Sequence, residues 1–127
     1  MQKKILLDTN FLVAPFQFSF DLFEELERLY PYHDLYTLDE AVQEARSIES
    51  GKYSELVKQL VEKKDIEVME TEEEGEVDNL LVEISDDYVI ATNDKELKKR
   101  ILERSRPVII VRQGTHLEVK NRRAENL

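Results

Sequence analysis

Two short apolar runs, each closing on an aspartate, constrain this chain more than any other feature. Lys3-Lys4-Ile5-Leu6-Leu7 stops at Asp8-Thr9-Asn10, and Tyr88-Val89-Ile90-Ala91 stops at Thr92-Asn93-Asp94. A brief apolar run without polar alternation, bounded by turn residues, is the pattern of a strand covered on both faces, as in parallel sheets. Pro107-Val108-Ile109-Ile110-Val111 is a third such run, with proline at the first position, where its missing donor does least harm. Between the runs the spacing turns helical. Leu22, Phe23, Leu26, Leu29 and Tyr30 predict a helix over 20–30, which Pro31 ends. Residues 34–37 read as a short strand. Thr37-Leu38-Asp39-Glu40 has the form of a capping box, opening a helix with Ala41, Val42, Ala45 and Ile48 on one face until Gly51. A further helix turns Leu56, Val57, Leu60 and Val61 inward, and residues 66–69 alternate as a strand. Residues 72–76 read as an acidic loop. Val77, Leu80, Leu81 and Ile84 mark a helix over 77–84, and Leu97 and Ile101 mark a basic one. Phe11 to Phe18 contains Pro15 and is expected to be a loop or broken turn. Strands alternating with helices predict an α/β layered fold with a parallel sheet.

With 127 residues the chain has room for one domain, expected over 1–119 with a polar tail at 120–127. It contains no Cys and two His. Disulfides, thiolate zinc sites, cysteine nucleophiles and histidine-rich metal sites are thereby excluded, so any metal must be held by oxygen. His33 and His116 read as surface residues. High charge, few glycines and no cysteine are a compositional sign of a thermophilic source. No apolar run approaches the roughly 18 residues of a membrane span. The N-terminus does not read as a signal peptide, so a cytoplasmic protein is expected. The net charge of −10 disfavours nucleic acid if it is taken as a whole, but it is unevenly spread. Residues 95–127 hold ten Lys and Arg against four acids, a net of +6, leaving −16 on the first 94. An acidic body with a basic C-terminal quarter fits a metal site beside a phosphate-gripping surface; it fits a solvated surface of uneven charge equally well.

Ligands of open α/β sheets bind outside the carboxyl ends of the strands. Asp8 and Asp94 end two strands, and if these are neighbours, about 5 Å apart, their carboxylates can meet. Glu44 lies near the apolar face of its helix, and Asp78 near the start of another. Asp94 and Asp78 also suit the plainer role of helix N-cap. Four acids collected at one edge repel one another, and a divalent cation offsets that repulsion. Two other folds place an Asp after the first strand. A haloacid-dehalogenase-type phosphatase needs a second Asp two residues on, where this chain has Asn10. A receiver domain needs an acidic pair and a later Lys, which are not present in order.

Leu-Leu-Asp8-Thr9-Asn10, Glu44, Asp78 before an apolar helix, and Val-Ile-Ala-Thr92-Asn93-Asp94 together resemble a PIN domain over residues 3–119. Phe16-Gln17-Phe18 through Phe23-Glu24-Glu25-Leu26, and Pro107-Val-Ile-Ile-Val-Arg-Gln-Gly, resemble its archaeal branch. That branch is similar to the Fcf/Utp-type small-subunit rRNA-processing nucleases and to VapC-type toxins. Asn79 departs from the pattern, since relatives often carry a second Asp there. The resemblance implies a three-layer α/β sandwich with a central parallel sheet of about five strands. It implies an endoribonuclease dependent on Mg²⁺ or Mn²⁺, with Asp8, Glu44, Asp78 and Asp94 as catalytic metal ligands. Asn10 and Thr92 would orient Asp8, a metal-bound water or the phosphate, and Lys95, Lys98, Lys99, Arg100 and Arg104 would hold RNA. The partners it implies are an rRNA precursor, a ribosome-assembly factor or antitoxin, and a second copy of the chain. The dimer also draws on Phe11, Phe16, Phe18 and Phe20, more phenylalanine than a small core obviously needs. A toxin ribonuclease and a non-catalytic RNA-binding module are the alternatives.

Overall fold

The computed structural model describes residues 2–71 and 77–122. The acidic loop expected at 72–76 and residues 123–127 of the expected tail lie outside that range. In chain order the elements are β1 (Lys3–Leu7), α1 (Thr9–Gln17), α2 (Leu22–Leu29), β2 (His33–Leu38), α3 (Asp39–Ser47), a 3-10 turn (Ile48–Gly51), α4 (Ser54–Lys63), β3 (Glu67–Met69), α5 (Val77–Ile84), β4 (Val89–Ala91), α6 (Lys95–Glu103), β5 (Val108–Arg112) and β6 (His116–Lys120).

The three apolar runs form the middle of one six-stranded sheet, ordered β3-β2-β1-β4-β5-β6. Ile5, Leu6, Leu7, Ile90, Ala91, Val108 and Ile109 are fully buried, as strands covered on both faces must be. β1 pairs in parallel with β2 and with β4, and β4 pairs in parallel with β5. The helices form two packed groups, α1 with α3 and α4, and α5 with α6, flanking the sheet, while α2 packs on β6. The expected parallel strands are therefore present, within a layered α/β fold.

The sixth strand goes beyond the sequence pattern. β6 runs antiparallel to β5 after a tight turn in which Gln113 and Gly114 take φ of 56° and 69°. His116-Leu117-Glu118-Val119-Lys120 alternates polar and apolar, which is the strand signal. It is embedded in a basic, polar stretch, and Leu117 alone of the five is fully buried.

Three further expectations are corrected. Phe11 to Phe18 is not a loop: α1 runs through Pro15. An internal proline costs a helix roughly 3 kcal/mol. Burying Phe11, Leu12 and Val13, each at most 2% exposed, returns about 1.5–3 kcal/mol apiece, so burial wins. Nor does Thr37 open a helix. It belongs to β2, fully buried, and its hydroxyl donates to the Leu7 carbonyl at 2.7 Å. α3 starts two residues later with Leu38 as N-cap and no side-chain cap bond. Asp39 instead accepts from the backbone N–H groups of Glu40 and Thr71 and from the Thr71 hydroxyl. Leu56, expected inward, is 43% exposed, while Val57 and Leu60 are buried. The phenylalanines that suggested a dimer are taken up within the chain. Phe11 is in the core, Phe16 stacks on Tyr53 and Phe18 on Phe20, all packed against the core.

The outer edge of β6 is closed by side chains of α2. Glu25 accepts from the Leu117 N–H at 2.9 Å, Arg28 donates to the Leu117 carbonyl at 2.8 Å, and the two side chains pair with each other. An edge strand left with free donors and acceptors invites pairing with another chain. Hydrogen bonding to Arg28 first, and then to Leu117, lowers the Glu25 carboxyl from its ordinary 4.5 to about 2. A depressed carboxyl contributes stability above its unfolded pKa and loses it as pH falls through the folded value. Glu25→Gln is accordingly expected to be less stable than wild type at neutral pH, with the gap closing between about pH 4.5 and 2. Urea melts across that range check it. Thr37→Val, which deletes one buried hydrogen bond at nearly constant shape, is expected to lower stability by about 1 kcal/mol in the same melts.

Candidate active site

Parallel pairing brings the ends of β1 and β4 to one edge, and there Asp8 and Thr92 meet. Asp8 lies just past β1, and its N–H still donates to the Ala91 carbonyl at 3.0 Å, extending the β1–β4 ladder by one rung. Its Oδ1 accepts from the Thr9 N–H at 2.8 Å, capping α1. Its Oδ2 accepts from the Thr92 hydroxyl at 2.6 Å. Thr92 is fully buried, and the same hydroxyl oxygen accepts from the Asp94 N–H at 3.1 Å. One side chain therefore orients the carboxylate after β1 and shapes the turn after β4.

A cleft of about 290 Å³ opens over this point, lined by Asp8, Thr9, Asn10, Val13, Gln17, Glu44, Ile48 and Asp78. Three of the four acids singled out in the sequence thus face one space. Glu44 reaches it from α3, where its Oε2 accepts from the Thr9 hydroxyl at 3.2 Å. Asp78 reaches it from the first turn of α5. Asp94 is not among the lining residues. Its Oδ1 caps α6 by accepting from the Leu97 N–H at 2.9 Å, so the plainer role foreseen for it is real. Its charge nevertheless acts on Asp8. Burial, first, pushes the Asp8 carboxyl above its ordinary value; the negative charges of Asp94 and Glu44 push the same way, against the hydrogen bonds from Thr92 and Thr9.

Asn10 faces the cleft and braces it. Its Oδ1 accepts from the Asn93 N–H at 3.2 Å, and the Asn93 Oδ1 accepts from the Val111 N–H at 3.0 Å. Asn93 thus fastens the turn after β4 to both α1 and β5, a role that sequence reasoning missed. Its only signal there was an amide between Thr92 and Asp94, and amides are common in turns. The basic residues divide. Lys95, Lys98 and Lys99 line a cleft along α6, whereas Arg100 donates to Asn79 at 2.6 Å and Arg104 pairs with Asp86 at 2.6 Å.

A family model described as a PIN like domain matches residues 5–114. The chain belongs to the PIN-like domain family. The matched span holds Asp8, Glu44, Asp78 and Asp94 together. Among solved structures, one titled "Structure of the PIN domain endonuclease Utp24" superposes with a TM-score of 0.76 at 23% identity, covering 93% of this chain and 91% of that one. At that identity the likeness is one of fold. No curated protein matches in sequence. Of the four acids that the PIN resemblance implied, Asp8, Glu44 and Asp78 line the cleft and Asp94 does not.

The donor set of the cleft is all oxygen, which suits hard divalent cations such as Mg²⁺ and Mn²⁺ rather than zinc. Among the described residues the side chains, as they stand, do not bring three acids together as a ligand shell. Like charges act on Asp8, whose carboxyl is already disfavoured by burial. A raised carboxyl contributes stability below its unfolded pKa, and that stability is lost as pH rises through the folded value. In EDTA at pH 7, Asp8→Asn is expected to melt above wild type, since Asn keeps a cap acceptor while removing the charge. The advantage should vanish as pH falls below about 4, the ordinary Asp value. Calorimetry at the two pH values checks it.

Proposed function

We propose that this PIN-like chain is a metal-dependent endoribonuclease that hydrolyses RNA phosphodiesters at the Asp8–Glu44–Asp78 cleft. One observation carries the reading: three acids from three separate elements line a single cleft at the sheet edge, and Asp94 bears electrostatically on the first of them. No structural requirement of the fold asks for that; a cap needs one acid, not four. Support comes from membership of the family and from the shared fold with a protein whose title names an endonuclease.

Asp8, Glu44 and Asp78 would hold Mg²⁺ or Mn²⁺, with the charge of Asp94 acting on Asp8. When bound, such an ion supplies Lewis-acid stabilisation of charge on phosphate oxygens and lowers the pKa of water. The chain's own residues do the positioning. Thr92 fixes the rotamer of Asp8 through Oδ2, Thr9 restrains Glu44, and Asn10 with Asn93 holds the turn that carries Asp94. Pre-set side chains avoid reorganisation during reaction, which is how such sites lower a barrier. Within RNA, a ribosomal precursor is the substrate that the sequence resemblance to the Fcf/Utp-type nucleases favours over a toxin's target.

Asp8→Asn and Asp94→Asn are each expected to lower Mn²⁺-dependent cleavage of a labelled looped RNA by roughly a hundredfold or more, a loss of several kcal/mol of transition-state stabilisation. EDTA should abolish cleavage by the wild type. Single-turnover assays with the variants measure it. Near wild-type rates in either variant, or cleavage that persists in EDTA, would sink the assignment.

A further inference from the structure

A second cleft, of about 320 Å³, lies between α6 and the end of β6. Lys95, Lys98 and Lys99 enter it from α6, and Lys120 and Arg122 from the strand end. Glu103 is its one acid, and Leu102 gives it an apolar wall. Five cations around one concavity are out of character for a chain of net charge −10. Among the described residues none of the five takes part in an ion pair, although the charge of Lys120 helps lower the Glu118 carboxyl. The arginines of the same region behave differently: Arg104 and Arg106 are neutralised on Asp86, and Arg112 on Glu118. Unneutralised cations cost self-repulsion, and a low-dielectric wall beside them focuses their field on whatever anion enters.

The topology gives the cleft a direction. Lys95 follows Asp94, which is linked through the Thr92 hydroxyl to Asp8, so one end begins beside the acid site. β6 is antiparallel to β5, with Lys120 opposite Val108, so the other end lies at the far edge of the sheet. The cleft follows the length of α6 between the two. From this placement we infer that it binds the sugar–phosphate backbone of single-stranded RNA leading away from the acid cleft, with Lys95, Lys98, Lys99, Lys120 and Arg122 on phosphates and Leu102 against a ribose or base. Arg100 and Arg104, turned toward Asn79 and Asp86, take no part. The inference rests on the nuclease reading for the identity of the polyanion, and on the cleft alone for its position.

The test is fluorescence anisotropy with a labelled single-stranded oligouridine, in EDTA so that no turnover occurs, over a series of salt concentrations. Lys98→Ala/Lys120→Ala should weaken binding and flatten the log–log salt slope by about 0.7 for each phosphate no longer neutralised. Lys58→Ala/Lys63→Ala, which removes the same charge from α4, should leave the slope unchanged. If the first pair disturbs folding, as circular dichroism would show, the exposed pair Lys95→Gln/Arg122→Gln replaces it with the same expectation. Equal slopes for cleft and control variants would overturn the inference. So would an oligoglutamate peptide that binds more tightly than the RNA and loses affinity in the same variants, since that marks an acidic protein partner. The nuclease reading fails separately, by cleavage that ignores Asp8, whatever the anisotropy reports.

Discussion

Parallel pairing of β1 with β4 is the constraint on which the rest of the molecule depends. Parallel strands deliver their carboxyl ends to the same edge, and each crossing helix must start from that edge. The residues that leave the strands therefore meet whether or not they attract one another. Here they are Asp8 after β1 and Thr92-Asn93-Asp94 after β4, joined by the 2.6 Å hydrogen bond from the Thr92 hydroxyl to Asp8. The burial of Ile5, Leu6, Leu7, Ile90 and Ala91 stabilises the pairing, and the placement of the carboxylates follows from it.

The helix starts at this edge serve two ends at once. Asp8 caps α1 and Asp94 caps α6, so both acids are held in fixed rotamers by the local structure that follows them. Cap and ligand are not competing descriptions of Asp8, because one carboxylate oxygen serves the helix and the other lies on Thr92. The cost is electrostatic: burial and two neighbouring acids oppose the ionised form of Asp8. A fold selected for stability alone would place a neutral cap there. Sites that do chemistry commonly retain such unfavourable charge.

Positive charge is divided between two uses. Arginines Arg28, Arg104, Arg106 and Arg112 are fixed on Glu25, Asp86 and Glu118, where their planar donors brace β6, the turn before β4, and the β5–β6 hairpin. Among the described residues the lysines of α6 make no ion pair, and they line the second cleft. Sequence composition sees ten bases in this quarter and cannot sort them, since pairing depends on which element passes within a few ångströms. Arg100 and Lys99 are adjacent in the chain, yet one faces Asn79 and the other the cleft.

What the chain alone determines is the set of buried strands and the acids that end them. Continuous apolar runs have one low-energy environment, and a polar stop at their ends is a local signal. The boundaries of α5 and of the three apolar strands follow from that pattern to within a residue or two, and the existence of α6 follows from Leu97 and Ile101. Tertiary structure decided the places where a local rule met a longer-range one. Pro15 sits inside α1 because the burial of Phe11, Leu12 and Val13 outweighs one missing hydrogen bond. Thr37 remains in β2 because its hydroxyl finds the Leu7 carbonyl thirty residues away, a partner that no capping pattern reveals. β6 exists because α2 and β5 cover its two edges. Asn93 holds the site because β5 passes beside it. Local periodicity encodes burial, which is a property of each element; partners across the fold are properties of pairs, and only the folded chain brings the pairs together.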